Sequence, residues 1–167
     1  MRDNLIQSDI YKMEKEIEYR IVTLRPKLLE DLKVARAQGD LSENFEYYAA
    51  KREKNINESR IRYLQRMVKT ANIIEDSSAE DEVGINNTVT VELVDDNEIE
   101  SYKIVTTIRS NSLIGLISIE SPMGKALMGH KVGDRVTVHV NDNVSYDVII
   151  NDIDKSTDDE FDEISRY

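Results

Sequence analysis

The 167-residue sequence predicts an α+β protein: an N-terminal antiparallel α-helical coiled-coil hairpin, then a small antiparallel β domain carrying one short helix. Three observations predict it. Over the first 74 positions apolar residues recur at spacings of three and four, the mark of helical stripes. A polar, acidic stretch at 75–82 then interrupts the pattern without any period of its own. Beyond it, short β-branched runs bounded by Asn, Asp and Gly take over.

The first stripe runs Ile10, Met13, Ile17, Ile21, Leu24, Leu28, Leu32, Ala35. Pro26 falls inside it and removes a backbone donor, so a kink or short break is expected there. The polar segment 38–44 follows, in which Gly39 suits a helix C-terminus and Asp40 or Ser42 the next N-cap. A second stripe is read through Phe45, Ala49, Ile56, Ile61, Leu64, Val68 and Ala71. Two such stripes flanking a short bend bury each other only by folding back antiparallel. Each arm of about 28 residues then reaches roughly 40 Å. After a linker at 76–84, strands are expected at 88–94, 102–108, 113–119, 135–140 and 144–150. Between the third and fourth, Ser121 and Pro122 fit an N-cap and first helical residue and Gly129 a stop, around Met123, Ala126, Leu127 and Met128. The expected division is 1–75 hairpin, 76–84 linker, 85–153 β domain and 154–167 an acidic tail expected to fray.

Composition removes several classes of function. No apolar run reaches the roughly 18 residues of a membrane span and the first ten residues lack the apolar core of a secretory signal, so a cytoplasmic location and no membrane partner are expected. There is no cysteine, and His130 and His139 alone make a thin zinc site, so metal chemistry would have to use carboxylates. The net charge of -11 is unevenly spread: residues 1–74 carry +3 and residues 75–167 carry -14. A chain of this charge is repelled by bare duplex DNA, although its mildly basic half can touch nucleic acid if another protein holds it there.

The chemistry-bearing segment is GDLSENFEYYAA, residues 39–50, with Asp40 and Glu43 three positions apart at the bend. Two readings stand. The pair can cap the second helix and favour its dipole. Capping is the commoner use of such residues, and the pair can also present two oxygen donors to a hard cation such as Mg²⁺, which keeps several waters and is usually held by one or two carboxylates plus phosphate oxygens from a partner. Behind it Lys33, Arg36, Lys51, Arg52 and Lys54 form a basic collar, continued by Arg60, Arg62, Arg66 and Lys69, either for phosphate or as a solvated face paired with acids such as Glu53 and Glu58. Phe45, Tyr47 and Tyr48 can stack on a base or close the end of the hairpin, with packing expected for at least one of them.

The stretch ARAQGDLSENFEYYAAKRE with SRIRYLQRMVKTANIIED, and the later block ISIESPMGKALMGHKVGD, resemble the two signatures of the Gre family of bacterial transcription elongation factors, nearer its GreA type than its GreB type. The resemblance spans about residues 10–153. It implies a coiled coil that enters the secondary channel of RNA polymerase and an FKBP-like domain, without prolyl isomerase activity, that docks at the channel rim. It further implies that Asp40 and Glu43 share a Mg²⁺ of the polymerase active site, with no tightly bound cofactor, and stimulate the polymerase's own cleavage of backtracked RNA. Such a chain is not itself an enzyme. Arg36, Ser42, Asn44, Lys51 and Arg52 are the expected contacts to the nascent RNA 3′ end and polymerase, and DNA is met only through the elongation complex. Ser121, Pro122, Gly124, Lys125 and Leu127 are the expected docking residues; Lys125 stands where the family often has arginine, keeping the charge but losing bidentate geometry. A monomer is expected. The alternatives are a Gre-like inhibitor that occupies the channel, against which the intact acidic pair argues, and a peptidyl-prolyl isomerase or chaperone-like domain.

Overall fold

The computed structural model describes residues 3–39 and 44–166. They form two compact units, one drawn from residue 3 and residues 10–39 and 44–71, the other from residues 4–9 and 72–166. The architecture is α+β, as the sequence predicts. Among the described residues no helix is long and apolar enough to cross a membrane.

In the first unit, α1 (Gln7–Tyr19), whose residues 7–9 belong to the second unit, passes through a π turn (Arg20–Leu24) into α2 (Arg25–Arg36), and α3 (Phe45–Thr70) forms the returning arm. The π turn is the expected disturbance at Pro26, displaced one turn upstream. Proline cannot donate to the carbonyl four residues back, and the helix widens just before it, where the Arg25 N–H bonds to the Arg20 carbonyl five residues earlier.

The seam between the arms is apolar near one end, where Ile10, Met13, Ile61 and Leu64 are buried, and polar in the middle. There Arg20 Nη1 donates to Asn57 Oδ1 (2.9 Å), and Asn57 Nδ2 donates to the Arg20 carbonyl (3.3 Å). Glu16 accepts from Arg20 Nε and Arg60 Nε at 2.8 Å each, and Glu58 accepts both guanidinium bonds of Arg25 at 3.0 and 2.9 Å. The second stripe differs from expectation: Phe45, Ala49 and Ile56 face solvent. The inward positions are Tyr47, Ala50, Lys54, Asn57, Ile61, Leu64 and Val68, whose three–four alternation is unbroken. Polar Lys54 and Asn57 conceal this seam from a reading based on apolar residues.

In the second unit a short parallel pair, β1 (Asn4–Leu5) with β2 (Asn72–Ile73), stands apart from a five-stranded sheet of order β5-β4-β3-β7-β6. Its strands are β3 (Thr88–Leu93), β4 (Glu98–Val105), β5 (Leu116–Ser118), β6 (Arg135–Asn141) and β7 (Val144–Asp154). The sheet is mixed, not purely antiparallel, because β5 runs parallel to β4. Residues expected to begin the third strand coil instead into a 3₁₀ turn, Ser112–Ile114, started by Asn111 Oδ1 accepting from the Leu113 N–H and ended by left-handed Gly115 (φ 76°). That detour returns the chain to the edge in β4's direction. Inward alternation of Val89 and Val91, Val136 and Val138, Val148 and Ile150 builds the core, closed by Met123 and Leu127 of α4 (Pro122–Leu127).

The acidic segment expected to fray is tied to this unit. Asp162 accepts from Arg109 Nη1 and Lys103 Nζ, each at 2.9 Å, and the Ser165 N–H donates to the Ile108 carbonyl (2.6 Å). Arg109 is fully buried and also donates from Nε to Asp9 Oδ1 (2.6 Å), while Asp9 Oδ2 accepts from Thr106 and the Ile6 N–H. A buried guanidinium is tolerable because carboxylates meet it on two sides.

Candidate functional site

The far end of the hairpin is organised by Asn44. As N-cap of α3 its Oδ1 accepts from the Tyr47 N–H (2.9 Å), while its Nδ2 donates to the Ala35 carbonyl near the end of α2 (2.6 Å). One amide thus caps one helix and pins the other. The cap expected of Asp40 or Ser42 is therefore held by Asn44, whose short acceptor reaches the third N–H of its own helix. Asp40, Ser42 and Glu43 lie outside the described residues. With the cap position of α3 filled by an amide, neither carboxylate is required for it.

Around this end, Arg36, Lys51 and Arg52 are exposed, and Lys33 with them, whereas Lys54 is half-buried. The Arg36 guanidinium lies 5.7 Å from the Tyr47 ring centroid, and that half-buried ring meets Tyr48 edge-on at 5.4 Å. Tyr47 is the aromatic that packs. Phe45 and Tyr48 are 86% and 51% exposed. Among the described residues no group of three or more His, Asp or Glu is placed to hold a metal ion. Further along the seam, burial pushes the Glu16 carboxyl up but hydrogen bonds from Arg60 and Arg20 outweigh it, leaving its pKa below the ordinary value.

At α4 the structure sorts the expected docking residues by exposure. Ser121 Oγ caps the helix, accepting from the Gly124 N–H (3.1 Å) and donating to the Ser118 carbonyl (2.6 Å). Gly124 packs so closely that a Cβ there would stand 2.0 Å from the Ser118 carbonyl oxygen. Leu127 has no exposed surface and belongs to the core. Only Pro122 and Lys125 turn fully outward. The sequence reading missed Leu113 and Ile114, placed on the 3₁₀ turn at 94% and 69% exposure; the Asn111 and Gly115 that bracket them were the available signal.

Both halves of the chain match a known family. Residues 5–73 match the family described as Transcription elongation factor, N-terminal, and residues 78–155 match Transcription elongation factor, GreA/GreB, C-term. Transcription elongation factor GreA of Macrococcus caseolyticus is 47% identical over 134 residues, covering 80% of this chain and 85% of that protein. The factor of the same name from Streptococcus gordonii is 44% identical over 146 residues, covering 87% and 91%. The crystal structure of GreA factor homolog 1 of Thermus thermophilus aligns at 26% identity over 92% of this chain and 99% of that one, with a TM-score of 0.42.

Proposed function

The chain belongs to the GreA/GreB family of transcription elongation factors, and from that premise we propose that it binds RNA polymerase through the secondary channel and stimulates cleavage of backtracked nascent RNA by the polymerase itself. The observation that carries the reading is the match of both halves, in order, with Asp40 and Glu43 intact in the segment joining α2 to α3.

Each part of the chain has a distinct task in this reading. The hairpin carries the acidic pair to the reacting phosphodiester, and Asn44 fixes the start of α3 against the end of α2, so the pair is presented from a braced support. Asp40 and Glu43 offer hard oxygen donors, suited to sharing a Mg²⁺ with the polymerase and too few to hold it alone. When bound, such an ion supplies a polarised water for attack on the RNA backbone. Arg36, Lys51 and Arg52 place positive charge beside the extruded RNA, and Pro122 with Lys125 offers the docking surface on α4. The chain contributes groups to another enzyme's active centre and turns over nothing itself.

Replacing Asp40 and Glu43 with alanine tests this directly in purified, stalled elongation complexes. Stimulated cleavage is expected to vanish while polymerase binding, followed by competition with the unmodified protein, stays within about twofold. Cleavage at the unmodified rate by the double variant overturns the reading.

A further inference from the structure

The solvent face of α3 carries a second stripe that hairpin packing does not use. Phe45, Tyr48, Arg52 and Ile56 are spaced by three, four and four and lie opposite the seam that runs through Tyr47, Asn57, Ile61 and Leu64. Phe45 is 86% exposed, although it directly follows the Asn44 cap and so sits in the first turn beyond the acidic segment. Tyr48, Lys51, Arg52 and Ile56 line an open groove of about 470 Å³. Carboxylates avoid this arc: Glu53 lies at its edge and Glu58 turns to Arg25 across the seam. In a protein of net charge -11, a helix face on which rings and cations outnumber the single bordering acid, Glu53, is a local inversion.

The geometry points to Phe45 and Tyr48 as a stacking platform for a base of single-stranded RNA, with Lys51 and Arg52 at its phosphates, so that stimulated cleavage depends on which base is extruded. This rests on the function proposed above and deepens it. A base offers a flat apolar face and a charged backbone at fixed offset, and this face answers both. Two exposed rings on one helix side take any base by its π-face, while cations a turn further along the helix follow the phosphates. A protein partner would instead favour a continuous apolar patch, and here Lys51 and Arg52 separate the rings from Ile56. Purines, with the larger ring system, gain more from such a surface than pyrimidines.

The test uses stalled complexes backtracked to the same register with RNAs differing only in the extruded 3′ nucleotide. Unmodified protein, the Phe45→Ala, Tyr48→Ala double variant, Phe45→Trp and Phe45→Leu are compared for cleavage rate at saturation and for the concentration giving half that rate. Both side chains are exposed, so the fold should survive substitution, and circular dichroism checks it. The unmodified protein is expected to cleave purine-ended RNA faster. The double variant should lose roughly five- to tenfold on purine ends and less on pyrimidine ends. Phe45→Trp should keep the preference and Phe45→Leu should lose it, because only the former retains a ring. Equal loss on all four bases through a raised half-saturating concentration would show that this face docks on protein, and unchanged rates would show that it is idle; either overturns the stacking role. Failure of the unmodified protein to stimulate any complex would overturn the parent function instead.

Discussion

The two units bury different chemistry. The β unit closes over a contiguous set of aliphatic side chains contributed by four strands and α4, with period-two alternation that any one residue can lose without changing the partners of the rest. The hairpin has buried apolar residues mainly at one end, and through its middle the arms meet by ion pairs and one amide. The difference separates stability from register. Aliphatic burial contributes more free energy but along a helical seam names its partner less sharply, whereas Asn57 bonded to the side chain and carbonyl of Arg20 is satisfied at one alignment only. A probe that must deliver two carboxylates to a fixed point depends on alignment more than on depth of core.

Substitutions that exchange these roles should break the contrast, and the largest effect belongs to the β unit. Leu127→Ala removes a fully buried side chain and should cost about 2–5 kcal/mol, read as a lowered unfolding midpoint in denaturant. Any loss of polymerase binding should then track unfolding. Gly124→Ala should behave alike, since the opposing atom is a backbone carbonyl that cannot swing away. In the hairpin, Asn57→Ala removes both bonds to Arg20, whose guanidinium keeps Glu16 and whose carbonyl keeps the Arg25 N–H, and should cost about 1 kcal/mol. Its specific mark is faster amide hydrogen exchange in Arg20–Leu24 and the facing turn of α3, with the β unit unchanged.

A smaller effect comes from acid. The Glu16 carboxyl has its folded pKa depressed, so its contribution is fully present above the unfolded value near 4.5 and is lost as pH falls through the folded one. Acid titration of hairpin exchange should show this loss, and Glu16→Gln should flatten it. If the β unit responds to Glu16→Gln as strongly as the hairpin, the contrast between the units fails. The smallest change in stability is expected of Lys125→Ala, within about 0.5 kcal/mol for an exposed side chain. Its effect should appear as a higher concentration for half-maximal cleavage at unchanged saturated rate, which sharpens the distinction between the exposed and buried residues of α4.

Much of the β unit was legible because its signals are local. Ser121, Pro122 and Gly129 bracket α4 by cap chemistry that acts within a few residues, and the strands announce themselves by alternation. The parallel β4–β5 pair was hidden, since nothing local says that residues 112–114 coil before the strand begins. In the hairpin the error had a physical source: Phe45, Ala49 and Ile56 are apolar but outward, while Lys54 and Asn57 are polar but inward. Asp40 or Ser42 was the expected cap of α3, and the hydrogen bond from the Tyr47 N–H to Asn44 Oδ1 gives that place to Asn44. At the candidate site, Asp40 and Glu43 were legible as chemistry and the exposed rings as residue types. That Tyr47 turns in while Phe45 and Tyr48 turn out needed the helix phase. Asp9 with Arg109 was beyond reach, because a pair 100 residues apart leaves no mark on either neighbourhood.

That same buried guanidinium sets a timetable for synthesis. Asp9 is made early, Arg109 follows 100 residues later and Asp162 a further 53 after that. At about 5–20 residues per second the first carboxylate waits roughly 5–20 s for its cation. The hairpin's residues 10–71 are continuous and complete well before that moment. The β unit, begun at 4–9, is the part of a nascent chain that stays open longer: its Asp9 waits for Arg109, and Arg109 gains its second carboxylate only when Asp162 emerges.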